Sequence, residues 1–140
     1  MHEAIRAYYQ KLSTTGFEHT GKIENASIFL ETFAEVSPVC GNTDDFLYLY
    51  IQVVDNLITD IKYQSISDPI TNVSIEVLCT LVKGKTLDEA ALIRALREGW
   101  IAGAAFSQFL GCEDEILQEK AKFLLELLKG GIFRYKTQTA

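Results

Sequence analysis

Positive charge is scarce in this chain: 13 lysines and arginines stand against 19 aspartates and glutamates, a net charge of −6. That deficit excludes the clustered basic footprint that nucleic-acid phosphates require. It suits solubility, basic partners or cations. The N-terminus, MHEAIRAYYQKLSTTG, has no apolar run long enough for an export signal or a membrane span. The three cysteines, Cys40, Cys79 and Cys112, are odd in number and form no CxxC pair. With no export signal, they read as reduced thiols of a cytoplasmic protein, and the Asn25-Ala26-Ser27 and Asn72-Val73-Ser74 triplets as chance matches to the glycosylation pattern. His2 and His19 are isolated, in a terminus and a loop, and are not expected to be ligands. No Ser–His–Asp order and no phosphate loop appears, so a conventional hydrolase or transferase is not expected. There is no internal repeat and no low-complexity segment. A single domain spanning residues 1–140 is the default, long enough to bury a core without staples.

What is present is periodic apolar sequence. Residues 3–12 predict a helix with Ile5, Tyr8, Tyr9 and Leu12 on one side. Ser13 to Gly21 reads as a loop. Ser27 to Val36 places Ile28, Leu30, Ala34 and Val36 on one alternating face, although the same letters suit a helix; Pro38 stops either one. Phe46 to Val54 (FLYLYIQVV) is a strand, with Leu47, Leu49, Ile51 and Val53 on one face and Phe46, Tyr48, Tyr50 and Gln52 on the other. Asp55-Asn56 makes a tight turn, and residues 57–64 return with Leu57, Thr59, Ile61 and Tyr63 sharing a face.

The period then changes. Ser67 or Asp68 caps a helix whose first turn holds Pro69, and Ile70, Val73, Val77, Leu78 and Leu81 follow at helical spacing to a stop at Lys83-Gly84. Cys79 falls in or beside that stripe and is expected in the core. Thr86-Leu87-Asp88-Glu89 is a capping box opening another helix. Residues 98–110 are apolar with two glycines and give no clear boundaries. Trp100 and Phe106 in that stretch are expected to be buried. Residues 113–129 form the clearest helix, its stripe made of Ile116, Leu117, Ala121, Leu124, Leu125 and Leu128. Gly130-Gly131 is expected to end it, leaving a polar tail at 132–140. The order α-β-β-β-α-α-α segregates strands from helices, which implies an α+β two-layer fold: a three-stranded antiparallel sheet packed against helices.

Ser37 to Asp45 (SPVCGNTDD) carries the chemistry. A cysteine beside a glycine with oxygens close by suits a metal ligand, a reactive thiol or a plain turn. Val39-Cys40-Gly41 ahead of the hairpin, Leu81 to Ala90 (LVKGKTLDEA) after a helix, and Gly21-Lys22-Ile23-Glu24-Asn25 together resemble the NifU/IscU-type iron–sulfur cluster scaffold family, over about residues 21–94. The resemblance implies a three-stranded antiparallel sheet backed by helices, consistent with the periodicity. It also implies a non-enzymatic scaffold that assembles a cluster on three cysteines, aided by an aspartate and a histidine. Sulfur would come from a cysteine desulfurase, and the cluster would pass to iron–sulfur acceptor proteins.

Carried over position by position, the resemblance places the first cysteine at Cys40 and the neighbouring aspartate at Asn42. The second cysteine falls on Asp68, within Ile66-Ser67-Asp68-Pro69-Ile70 rather than among glycines. The third falls on Asp114 and its histidine on Glu113, with Cys112 two residues away as a substitute. The proline-containing chaperone-recognition segment of bacterial scaffolds has no counterpart in Ala102–Leu110. Thiolates are soft ligands suited to clusters and zinc, whereas carboxylates are harder. Cys40, Asp68 and Asp114 therefore form a set better suited to a single iron or zinc ion than to a stable cluster. Neighbouring carboxylates also repel unless a cation or proton intervenes. The bland alternatives are a helix cap for Asp68 and an ordinary acidic first turn for Glu113 and Asp114. Two other functions fit the sequence. One is a SufE-type sulfur acceptor carrying a persulfide on Cys40. The other is an interaction protein that kept the fold without the chemistry.

Overall fold

A computed structural model describes residues 3–33, 45–95 and 115–139. The first helix, α1 (Glu3–Thr15), buries Ile5 and Leu12 at a seven-residue spacing, facing the helix later in the chain against which it packs. It runs three residues past the predicted end. The Thr14 and Thr15 hydroxyls donate to the carbonyls of Gln10 and Lys11. Gly16, at φ +103°, then ends the helix, its N–H reaching the Leu12 carbonyl at 2.7 Å.

Three strands follow: β1 (Ile28–Phe33), β2 (Phe46–Val54) and β3 (Leu57–Ile66). They pair antiparallel in the order β1-β2-β3. In β1 the inward residues are Ile28, Leu30 and Thr32; Ala34 and Val36, expected on that face, lie outside the described residues. In β2 the predicted alternation holds, with Leu47, Leu49, Ile51 and Val53 buried. Asp55 and Asn56 both take positive φ, 50° and 66°, as a type I′ hairpin turn requires.

Strand β3 departs from the expected face. Leu57 and Thr59 are exposed, and Ile58, fully buried, takes the inward place with Ile61 and Tyr63. The cause is a bulge. Gln52 pairs with Asp60 but Val53 pairs with Ile58, leaving Thr59 as an extra residue. One added residue inverts the pleat, so Ile58 and Ile61 both point into the core.

Helix α2 (Pro69–Val82) has Asp68 as its N-cap and Pro69 in its first turn, as expected. It is more enclosed than a one-sided stripe. Val73, Ile75, Val77, Leu78, Cys79 and Val82 are buried, because α1, β3 and the last helix all pack on it. Ile70 and Leu81, placed in the stripe by spacing, are only partly buried. Gly84, at φ +85°, closes the helix and donates to the Ile58 carbonyl at 2.9 Å, tying the hairpin tip to the α2–α3 connection. Helix α3 (Leu87–Ala95) opens with the predicted capping box: Glu89 N–H to Thr86 Oγ1 at 3.1 Å and Thr86 N–H to Glu89 Oε1 at 3.0 Å. Those bonds hold the Glu89 carboxyl below the ordinary carboxylate range.

The last helix, α4 (Glu115–Thr139), corrects two expectations. Gly130-Gly131 does not end it, and residues 132–139 form further helical turns instead of a polar tail. The reason is contact with the sheet: an added Cβ at Gly131 would lie 2.6 Å from Leu30 Cδ2. Beyond it, Ile132 is buried and Tyr135 packs against the core. The stripe of Ala121, Leu124, Leu125 and Leu128 is buried as expected, but Ile116 is 56% exposed; the Leu117 side chain lies outside the described ones. Helices α2 and α4 cover one face of the sheet. No helix among the described residues is long and apolar enough to cross a membrane.

Candidate functional site

Phe33, Phe46 and Ile66 form one transverse row of the sheet. Beyond it, at the same end, lie Asp45, Ser67 and Asp68. Residues 34–44 connect Phe33 to Asp45, and Cys40 belongs to that connection. Cys40, Cys112, Glu113 and Asp114 lie outside the described residues.

Asp68 is the one predicted site residue that the structure describes. Its extended backbone (φ −73°, ψ 166°) fits an N-cap, and Oδ1 accepts from the Thr71 N–H at 2.8 Å. Its other oxygen lies 3.6 Å from Lys120 Nζ, bringing α4 to the start of α2. The partners differ in exposure: the Asp68 side chain is 44% exposed and the Lys120 side chain 8%. One turn along α2, Asn72 donates to the Ser67 carbonyl at 3.5 Å, while its buried Oδ1 has no hydrogen-bond partner. The Ser65 and Ser67 hydroxyls meet at 3.0 Å. Removing the cap alone costs about 1 kcal/mol. Asp68→Ala is therefore expected to lower stability by about 1–2 kcal/mol, since it also strips a buried ammonium of its counter-charge. Asp68→Asn, which still caps, should lose less than half of that; urea titration of both variants is the check. Among the described residues no three His, Cys, Asp or Glu side chains gather as a metal site.

A second polar cluster escaped the sequence reading. His19, expected to be an isolated loop residue, is 5% exposed. Its Nδ1 lies 2.8 Å from Glu76 Oε2, and its backbone N–H donates to Glu76 Oε1 at 3.0 Å. The Tyr63 hydroxyl donates to that same oxygen at 3.1 Å. Burial and then the Glu76 carboxylate push the Tyr63 hydroxyl far up, and the same two causes, in the same order, raise the Cys79 thiol. Cys79 is thus a core thiol with suppressed reactivity, as its place in the stripe predicted. The sole signal in sequence was an acid amid the apolar residues of α2; its partner, 57 residues away, carried none.

A three-stranded antiparallel sheet with helices on one face makes this a two-layer α+β fold. Residues 14–113 match the family model of the NifU-like N terminal domain. The chain belongs to that iron–sulfur cluster assembly scaffold family. It is 36% identical over 75 residues to iron–sulfur cluster assembly scaffold protein IscU 1 of Archaeoglobus fulgidus, covering 54% of this chain and 45% of that one. The chain thus spans about half the length of the curated relatives it matches. The fold is also that of a putative iron–sulfur cluster assembly scaffold protein for the SUF system from Fervidobacterium islandicum AW-1 (TM-score 0.63, 22% identity, 94% of this chain and 96% of that one). It resembles equally the N-terminal part of a nitrogen-fixing NifU-like protein from Brucella abortus (TM-score 0.67, 15% identity, 99% and 95% coverage).

Proposed function

We propose that this single-domain chain is a cytoplasmic scaffold, not a catalyst, that carries iron, zinc or a labile iron–sulfur cluster as cargo at the α2 end of the sheet. Cys40 is the soft ligand, with Asp68 and Asp114 as harder oxygen donors, Cys112 as a substitute for the third ligand, and Glu113 at the position of the family's histidine. The observation that carries this reading is the carboxylate of Asp68. It stands at the start of α2, where the family resemblance puts the second cysteine. The orphaned Oδ1 of Asn72, one turn away, adds a neutral oxygen. A cation held by Asp68 would use Oδ2 and displace the Lys120 ammonium, since Oδ1 serves the Thr71 N–H. One thiolate and two carboxylates favour a single ion over a stable cluster. By the same family reasoning, sulfur would come from a cysteine desulfurase and cargo would leave to iron–sulfur acceptor proteins.

Anaerobic reconstitution with iron and sulfide, followed by metal and labile-sulfide analysis, tests the reading. Stoichiometric metal in the parent chain, lost in Cys40→Ser, is the expected result. Metal-free protein in both would end it.

The engagement of Asp68 by its cap and by Lys120 favours one second reading, in which Cys40 works alone as a persulfide carrier. Its thiolate would attack the outer sulfur of a desulfurase persulfide, forming one S–S bond and releasing the desulfurase thiolate as the other S–S bond breaks. The product gains about 32 Da, one sulfur atom, on Cys40. An adduct that persists in Cys40→Ser would exclude it.

A further inference from the structure

Among the described residues, the sheet face turned away from α2 and α4 is aromatic and open. Three transverse rows of its outward side chains run from β1 through β2 to β3, and Gln52 and Asp60, whose carboxylate pairs with Lys83, continue the face on β2 and β3 alone. Phe29 stands beside Tyr50 and Lys62, Glu31 beside Tyr48 and Gln64, and Phe33 beside Phe46 and Ile66. Phe29, Phe33 and Ile66 are 48%, 42% and 57% exposed. The rings form a connected layer, with centroids 5.1 Å apart for Phe29–Tyr50 and 4.7 Å for Phe46–Tyr48. A solvated sheet face ordinarily alternates polar residues outward, and contiguous apolar patches of this kind mark interaction sites.

We propose that this face is a self-complementary interface between two copies of the chain, related by a two-fold axis parallel to β2. The rows decide the occupant. Such an axis lays β1 of one copy over β3 of the other without shifting the rows. Phe33 then meets Ile66, apolar on apolar. Phe29 meets Lys62, a cation over a ring face. Glu31 meets Gln64, whose Oε1 already accepts from the Tyr50 hydroxyl at 2.8 Å, which leaves its amide N–H groups as the donors for the carboxylate. Tyr48 and Tyr50 stack across the axis. Glu31 and Lys62 of opposite copies are one step apart along the strand, close enough to attract. Lys62 rests its ammonium on the Glu18 carbonyl at 3.3 Å on the exposed edge, within a side-chain swing of the face. A two-fold axis across the strands would instead stack Glu31 on Glu31, which repels. Packed sheets cross at about 30°, which preserves the pairing at the centre.

Three strands about 4.8 Å apart and five residues at about 3.4 Å each make a small footprint. It falls below the roughly 800 Å² per partner of stable complexes, so the dimer is weak and reversible. It forms whether or not Cys40 holds metal.

Sedimentation velocity on the 140-residue chain, from low micromolar to near-millimolar concentration, tests the proposal. The parent is expected to shift from monomer to dimer across that range. Lys62→Glu sets like charges near Glu31 and should weaken association by about tenfold or more. The exchange Glu31→Lys with Lys62→Glu restores the attraction and should return the midpoint to within about threefold of the parent. Circular dichroism checks that each surface variant stays folded. A chain that is monomeric throughout, a dimer indifferent to Lys62→Glu, or a double exchange that fails to recover would each overturn the proposal.

Discussion

Glu76→Ala is expected to lower the unfolding free energy by about 3–5 kcal/mol, the usual cost of breaking a buried charge network from one side. Glu76 is 1% exposed, and it serves three donors: the His19 N–H, the His19 ring and the Tyr63 hydroxyl. Each buried donor left without an acceptor costs about 1–3 kcal/mol, against roughly 1 kcal/mol for an ordinary hydrogen bond. A carboxylate oxygen can only accept, so Nδ1–H is the donor to Oε2 and loses its acceptor in Glu76→Ala. Glu76→Gln keeps the shape and one acceptor but sets an amide N–H₂ against a donor, and should cost about 1–3 kcal/mol. Tyr63→Phe removes donor and demand together, and should cost about 1 kcal/mol. Chemical denaturation at neutral pH separates the three. Domains commonly hold about 5–15 kcal/mol in all, so the alanine variant should be visibly marginal. A loss below 1 kcal/mol would mean that Glu76 does not carry the network.

The same network explains how the segment before β1 is held. Tyr63 donates its N–H to the His19 carbonyl at 2.9 Å and accepts from the Gly21 N–H at 2.8 Å, a short parallel bridge on the free edge of β3. Glu76 locks that bridge from beneath, joining the approach to β1, the edge strand and the buried helix. Hydrogen exchange at Gly21 should accelerate in Glu76→Ala more than exchange in the centre of β2.

Legibility in the sequence followed the range of the interactions. The β2 alternation, the positive-φ turn at Asp55-Asn56, the Asp68 cap and the Thr86–Glu89 box depend on residues within a turn or two of each other, and each could be read directly. The inward place of Ile58 could not, because period-two reading assumes a constant pleat and the Thr59 bulge breaks it. Lys120 was invisible as the counter-charge of Asp68 because the pair forms only when α4 packs across the start of α2. His19 and Glu76 were likewise separate until the fold joined them. Family resemblance carried Cys40, Cys112, Glu113 and Asp114 into the candidate site, and these lie outside the described residues; reconstitution of the Cys40→Ser variant bears on the first of them.

Gly130 and Gly131 read in sequence as one signal, and in the structure they should respond to substitution with opposite sign. At Gly130 an added Cβ meets the Arg134 guanidinium at 3.5 Å, an ordinary contact with a flexible side chain. Gly130→Ala then gains the helix preference of alanine, up to about 1 kcal/mol. At Gly131 the same atom would lie 2.6 Å from Leu30 Cδ2 and 3.1 Å from Cδ1. Leu30 is 3% exposed and has no solvent to swing into. Overpacking of this kind costs about 1–3 kcal/mol, so Gly131→Ala should be destabilising by about 0–2 kcal/mol net of the helix gain. Gly131→Val, which adds further carbons toward β1, should cost about 3 kcal/mol or more. Thermal melts resolve the pair at about 3 °C per kcal/mol for a chain of this size. Leu30→Ala should relieve much of the added cost in the Gly131→Val background, because the cavity it opens receives the new methyls. Were the pair a helix stop with a left-handed glycine, alanine at the stop position would be strained and destabilising. Stabilisation at Gly130, destabilisation at Gly131 and rescue through Leu30 would together place the close approach of α4 to β1 where the geometry has it.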